Sequence, residues 1–208
     1  MRFKIEAARR QLGTALHLFI ENMDPVSVQC LAGGGGEVME FYAAKAGGQS
    51  FMSAILEANP DFDEKLAHRS QRLYWNAFKH PTRYEKNALT ERDDESTLAE
   101  FGEERNIESL MMGWTDYGTA VGKMPVEAQV FQVWAFARKP PASAVARRRD
   151  QCCRLFPDLD KAPLVEQKRR LIAKFTWARD QFEVMGSPKT ELRPLLLHWP
   201  PSPETNHR

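Results

Sequence analysis

Two consecutive amphipathic segments, joined at Asp24-Pro25, constrain the fold more than any other feature of this chain of 208 residues. Asp24 is a preferred N-cap residue and Pro25 a preferred first residue of a helix. Gly47-Gly48 supplies the stop signal after the second segment. The sequence therefore predicts helices over 4–22 and 25–46. The apolar residues of the first recur at steps of three and four, at Ile5, Ala8, Leu12, Leu16 and Phe19.

Further helical segments are predicted along the chain, and no pair of strongly alternating strands accompanies them. A short strand at "SLMMGW" is the alternative for part of one segment, and residues 82–95 are interpreted as a polar loop. The fold class is therefore all-α. A helical bundle is predicted over 1–139, and a linker, an amphipathic helix and a proline-rich tail over 140–208. The predicted helices are 62–80, 95–101, 106–121, 125–139 and 163–185.

Charge and cysteine usage exclude several classes of protein. Lys plus Arg number 29 and Asp plus Glu 28, so nucleic-acid binding requires a local basic patch. The N-terminal residues lack the apolar region of a secretory signal, and no apolar run approaches the roughly 18 residues of a membrane helix. Cys30 stands alone, and the adjacent Cys152 and Cys153 lack the spacing of a zinc site. We expect a cytoplasmic protein without disulfide, metal or cofactor.

The run "AGGGGE", residues 32–37, permits two interpretations. A phosphate-binding loop would need the GK[ST] ending of a P-loop or the GxGxxG spacing of a dinucleotide turn, and both are missing. The favoured interpretation is a helix whose glycines let a neighbouring helix approach closely. Four glycines cost about 4 kcal/mol relative to alanine, so that packing must offset this cost.

The stretch "WNAFKHP", residues 75–81, lies at the end of the predicted third helix. Successive residues of a helix are rotated by about 100°, so five nitrogen-bearing side chains fall on one arc of the predicted helix. Leu66 and Leu73 lie on the neighbouring face, which is predicted to be buried. A solvated face is one interpretation, with His80 favourable near the helix C-terminus. A phosphate or RNA site is the other, with His80 moving protons. The arc comprises Arg69, Arg72, Asn76, Lys79 and His80.

Four short stretches of the sequence resemble those of a known family. "NAFKH" followed by "RDD", together with "DPVSVQCLA" and "PVEAQVFQVWAFA", resembles the HEPN superfamily over roughly residues 4–138, and within it uncharacterised bacterial proteins with an N-x-x-K-H…D-D pattern. The resemblance implies a helical bundle, association with RNA or a nucleotide, a toxin or defence role and a homodimer. His80 would be the acid/base with Arg72, while Asn76, Lys79 and Arg69 hold phosphate. An active member would be a metal-independent endoribonuclease.

One departure from the family pattern keeps two function classes open. The family's arginine stands five to seven residues before the histidine, whereas residues 73–75 are "LYW" and Arg72 stands eight before His80. About two helical turns, or roughly 12 Å, then separate the two along a helix. The first class is the RNA- or nucleotide-associated protein. The second is a non-catalytic interaction or scaffold protein with a partner protein.

The acidic turn at Asp93 and Asp94 has three interpretations. It is an N-cap for the next helix, a cation site shared with His80, or a partner that folds back onto His80 or Lys79. The first is preferred over a metal site, and the third would account for the two motifs occurring together. Asp116 and Glu127 are expected to hydrogen-bond across the bundle, because a buried carboxylate needs a partner.

Overall fold

The computed structural model describes residues 2–85, 87–138 and 146–197. Helices account for about 70% of the chain, so the prediction of a mostly helical protein is confirmed. The helices are α1 Arg2–Ile20, α2 Pro25–Lys45, α3 Phe51–Ala58, α4 Glu64–Gln71, α5 Leu73–Lys79, α6 Glu95–Ala99, α7 Glu103–Val121, α8 Val126–Arg138, α9 Ala146–Leu155, α10 Leu164–Arg179 and α11 Phe182–Met185, with a 3-10 turn at Leu159–Lys161. The short strands are β1 Thr82–Glu85, β2 Ala88–Glu91, β3 Met124–Pro125 and β4 Thr190–Glu191.

The chain divides into two units, and the first is Met1–Val121. Its core is formed by α1, α2 and α7. The amphipathic pattern of the first two helices predicts that they contribute to this core. Asp24 caps α2, because its carboxylate accepts hydrogen bonds from the backbone N–H groups of Val26 and Ser27. The apolar faces of the three helices meet in fully buried side chains that include Leu12, Leu16, Met39, Leu110 and Trp114.

The glycines of α2 lie at contacts with neighbouring elements. A Cβ on Gly35 would lie 2.9 Å from Leu12 Cγ and 3.1 Å from the carbonyl oxygen of Ala8 on α1. Gly36 faces Gly113 of α7, where a Cβ would lie 3.7 Å from the Gly113 Cα. Helix α2 runs through the whole glycine segment without a break. The packing interpretation of residues 32–37 is therefore confirmed.

Three stretches of the first unit differ from the sequence prediction. The helix expected over 62–80 is two helices, because Arg72 (φ −95°, ψ 1°) ends α4 and precedes α5. Helix α3 was not predicted. Residues 82–91, expected as a loop, form an antiparallel hairpin in which Tyr84 pairs with Leu89. Asn87 has a φ of 65°, and asparagine tolerates this left-handed conformation in a tight turn.

The second unit is Gly122–Arg208. Helix α8 packs on α9 and α10, and the indole N–H of Trp134 donates to the carbonyl of Gln167 at 2.9 Å. Strands β3 and β4 form one short parallel pair. The Glu127 carboxylate accepts a hydrogen bond from Arg179, which confirms the expectation of a partner for that buried acid.

Part of the predicted linker is helical. Helix α9 spans Ala146–Leu155, after the Pro140-Pro141 pair. Its alanine, arginine and leucine residues have high helix propensity. The side chains of the basic run 146–150 lie outside the described residues, as does the part of the predicted proline-rich tail from residue 198 onward. The domain boundary predicted at residue 139 stays a prediction, and α8 belongs to the second unit.

Candidate functional site

The predicted polar arc does not lie on one helix. Arg69 belongs to α4, which has no buried residue, while Asn76 and Lys79 belong to α5. His80 follows α5 as its C-cap, with extended backbone angles (φ −117°, ψ 110°). The helical-wheel argument required a continuous helix through Arg72. The structure interrupts the helix at that residue, so Arg69 and the residues of α5 do not belong to one continuous helix.

Arg72 is held by two carboxylates of α2. Its Nη1 lies 3.5 Å from Glu37 Oε1, and its Nη2 lies 3.4 Å from Glu40 Oε2. Glu40 also faces His68 of α4, whose Nδ1 lies 3.6 Å from Glu40 Oε1. The Glu40 side chain is only 14% exposed, so water screens these contacts less than it would at the open surface. The Glu37–Glu40–His68–Arg72 cluster connects the α4–α5 junction to α2.

A narrow cleft lies beside this cluster. Its volume is about 20 Å³, which is enough for a single water molecule. Gln71 Oε1 and Arg72 Nε are both buried there without a hydrogen-bond partner from the described protein atoms. The cleft admits one water molecule, whereas a nucleotide would require a much larger space. The cleft is lined by residues that include Gly33, Gly36, Glu37, Gln71, Arg72 and Trp75.

Lys79 covers the indole of Trp75. Its Nζ lies 4.2 Å from the ring centroid, which is cation–π distance. Trp75 in turn is buried against Gly33 of α2, where a Cβ would lie 2.7 Å from the indole Cγ. The sequence interpretation placed Lys79 among phosphate ligands. In the structure, Lys79 instead contacts Trp75, the side chain through which α5 packs against α2.

Asn76, His80 and Arg69 form no joint site. The imidazole of His80 and the guanidinium of Arg69 are exposed, and Asn76 is half-buried. None of the three side chains forms a hydrogen bond or an ion pair with another described residue. The His80 backbone N–H donates to the carbonyl of Asn76 at 2.9 Å, which only completes the last turn of α5. No described side chain therefore fixes the orientation of the His80 imidazole.

The acidic turn pairs with a neighbouring arginine. The Asp94 carboxylate accepts hydrogen bonds from Arg92 Nε at 2.5 Å and Nη2 at 2.8 Å, and this bidentate contact lowers its pKa. The expected fold-back of Asp94 onto His80 or Lys79 is therefore corrected. Asp94 does occupy the N-cap position of α6, but its side chain makes no capping bond. Asp93 is exposed.

The Glu37–Glu40–His68–Arg72 cluster was not predicted from the sequence, whereas a hydrogen bond of Asp116 was. The Glu37 and Glu40 pair has i,i+3 spacing, and His68 and Arg72 have i,i+4 spacing, so each pair shares one helix face. That complementary spacing was a readable signal. Asp116 of α7 accepts a hydrogen bond at 2.6 Å from the backbone N–H of Phe51 at the start of α3, which confirms its expected cross-bundle bond.

The environment of Asp116 changes its acidity. Burial raises the pKa of this carboxyl to about 6, and the nearby Glu40 charge adds to the effect, while the hydrogen bond from Phe51 opposes it. Asp116 is 2% exposed. A carboxyl with such a pKa has the acidity of a catalytic acid, but its one observed role is to hold the N-terminus of α3.

Comparison of the chain with protein-family models, with curated proteins and with solved structures finds no match. Within the described ranges, no three His, Cys, Asp or Glu side chains lie together in a way that would hold a metal ion. The helices of these ranges are all too short or too polar to cross a membrane.

Proposed function

We propose that this chain is a non-catalytic helical interaction or scaffold protein, HEPN-like over residues 1–139, in which Arg72 and Lys79 serve the packing of the chain rather than catalysis. The contact of Arg72 with Glu37 and Glu40 carries the proposal. An arginine that already faces two carboxylates contributes little to the negative charge of a phosphoryl transition state, because the acids repel the same charge. The helix order and the "NAFKH…RDD" phrases support the family part of the proposal.

The surroundings of His80 and the small cleft support the non-catalytic part. His80 is exposed and unoriented, and the space beside Arg72 measures about 20 Å³. A metal-independent ribonuclease needs a positioned base together with charge stabilisation at the same phosphate. In the described residues of one chain, these two elements do not converge.

A paired measurement tests this function. Wild type, His80→Ala and Arg72→Ala are compared for cleavage of single-stranded RNA without divalent metal and for thermal unfolding, with the oligomeric state measured by sedimentation. We expect no cleavage by any of the three. Arg72→Ala should unfold at a lower temperature, and His80→Ala should unfold like wild type because its side chain is solvated. Cleavage by wild type, lost in both variants while they stay folded, would reject the proposal.

RNA association without cleavage is a second candidate. The exposed cations Arg69 and Lys79 lie close together in the sequence at this end of the first unit, beside the exposed His80, and favour it. Binding through these cations should weaken as salt rises, with each phosphate contact contributing about 0.7 to the logarithmic slope. The double variant Arg69→Gln/Lys79→Gln should reduce that slope, while Lys123→Gln, a change at an exposed lysine of the second unit, should not. A slope that is equal in all three proteins would exclude this surface.

A further inference from the structure

The second unit contains an apolar cavity of about 190 Å³ between α8, the end of α9, α10 and α11. An engineered apolar cavity of about 150 Å³ in another protein takes up benzene. The cavity is therefore large enough for one aromatic ring. Seven of its nine lining residues are apolar, among them Val130, Val133, Leu155, Phe156 and Val184.

One cation lies in this apolar lining. The Nζ of Lys174 is 4.6 Å from the ring centroid of Trp177, and Trp177 is 42% exposed, so the cavity opens to solvent beside this pair. Lys174 has no carboxylate partner among the described residues. Gln129, the other polar residue of the lining, already donates its amide N–H groups to the Met124 carbonyl and the Thr190 hydroxyl.

We propose that this cavity binds a small amphipathic carboxylate whose apolar part is the size of one aromatic ring. The ring would fill the space between α8 and α10, and the carboxylate would meet the Lys174 ammonium at the mouth. Charge complementarity selects the anion, because a half-buried ammonium without a carboxylate gains from one more than from a neutral group. The site lies within the second unit and is independent of the function proposed for the first.

Two ligands of the same shape test the role of the head group. Phenylacetate and the neutral 2-phenylethanol are titrated by calorimetry into wild type, Lys174→Met and Lys123→Met. The affinity for phenylacetate should fall about tenfold in Lys174→Met, which corresponds to one charged hydrogen bond. The affinity for 2-phenylethanol should not change, and Lys123→Met should behave as wild type. Absence of phenylacetate binding to wild type, or equal affinities for the two ligands, would overturn the proposal.

A second variant tests the cavity itself. Val133→Trp places a large side chain in the lining and should abolish binding of both ligands, whereas Ile172→Trp, on α10 but outside the lining, should bind as wild type does. If Val133→Trp fails to fold, the comparison of Lys174→Met with Lys123→Met still decides.

Ligand binding that appears only in Trp199→Ala would assign the cavity to the chain's own C-terminal segment. A wild-type dimer that Val133→Trp dissociates would assign it to a second copy, and either result overturns the proposal.

Discussion

Two regions of the first unit are held in different ways. Helices α1, α2 and α7 meet through glycines and fully buried apolar side chains, whereas α4, α5 and the β1–β2 hairpin have few buried residues. Helix α5 contributes Tyr74 and Trp75 to the interior, while α4 contributes none. The candidate site thus falls in the region with less burial.

Hydrogen exchange of the backbone amides should show the largest difference between the two regions. Segments with few buried contacts open locally at low free energy, whereas core helices exchange only through global opening. We expect the amides of α4 and of the hairpin to open at several kcal/mol below those of α2 and α7. Native-state exchange followed by NMR measures this directly. Equal protection in α4 and α2 would contradict the division into two regions.

The two regions also differ in the pKa values of their carboxylates, which are raised at Asp116 and lowered at Asp94. The next largest expected effect is the change of stability with pH that Asp116 causes. Its pKa is raised to about 6 in the folded protein, so the folded state binds more protons than the unfolded state between about pH 4 and pH 6. The contribution of Asp116 to stability is therefore fully present below this window and is lost as the pH rises through it. A shift of about two units corresponds to roughly 3 kcal/mol. Urea unfolding as a function of pH measures the decrease.

Two substitutions isolate this effect. Asp116→Asn should remove most of the decrease and make the protein more stable than wild type at pH 7, with little difference near pH 4. Asp94→Asn is the matched control from the outer region, where Arg92 lowers the pKa instead. That variant should not gain stability at pH 7. A wild type whose stability is constant from pH 4 to pH 6 would reject the raised pKa.

Neighbouring glycines of α2 provide a matched pair in the core. A Cβ at Gly35 would lie within 3.1 Å of the Ala8 carbonyl oxygen, so Gly35→Ala should lower the free energy of unfolding by roughly 1–3 kcal/mol. At Gly34 the nearest atom is Gln11 Nε2 at 3.6 Å, an ordinary contact. Gly34→Ala should therefore stabilise the helix by about 0.5–1 kcal/mol. Chemical denaturation distinguishes the two, and equal effects would show that α1 and α2 do not meet at Gly35.

Sequence predicted the core of the first unit because its signals are local and repeated. The periodicity of α1, the Asp24-Pro25 start of α2 and the Gly47-Gly48 stop each depend on nearby residues alone. The break at Arg72 has no such signal, since residues 64–79 contain neither proline nor glycine. It coincides with tertiary contacts, namely Trp75 against Gly33 and Arg72 against Glu37. These contacts are not visible in a local pattern.

The site prediction depended on that same continuous helix. A helical wheel orders residues about one continuous helix, whereas Arg69 lies on α4, Asn76 and Lys79 lie on α5, and His80 follows α5. Arg92, which pairs with Asp94, stands only two residues before it, so this pairing was within reach of a local interpretation of the sequence and was missed. The carboxylate partners of Arg72 lie on α2, 32 residues or more before it, and local spacing does not reveal them.

The smallest predicted effect concerns Arg72 and separates a packing role from a chemical one. Arg72→Gln should lower the free energy of unfolding by about 1 kcal/mol or less, because the lost ion pairs are partly exposed. Arg69→Gln removes an exposed arginine of the preceding turn that has no partner among the residues the structure describes, so it should leave stability unchanged. The difference between the two should shrink at high salt, because salt screens the Arg72 pairs. Denaturation at low and high ionic strength measures it. An Arg72→Gln protein as stable as wild type but unable to cleave an RNA that wild type cleaves would mean that Arg72 acts on a substrate rather than on Glu37 and Glu40.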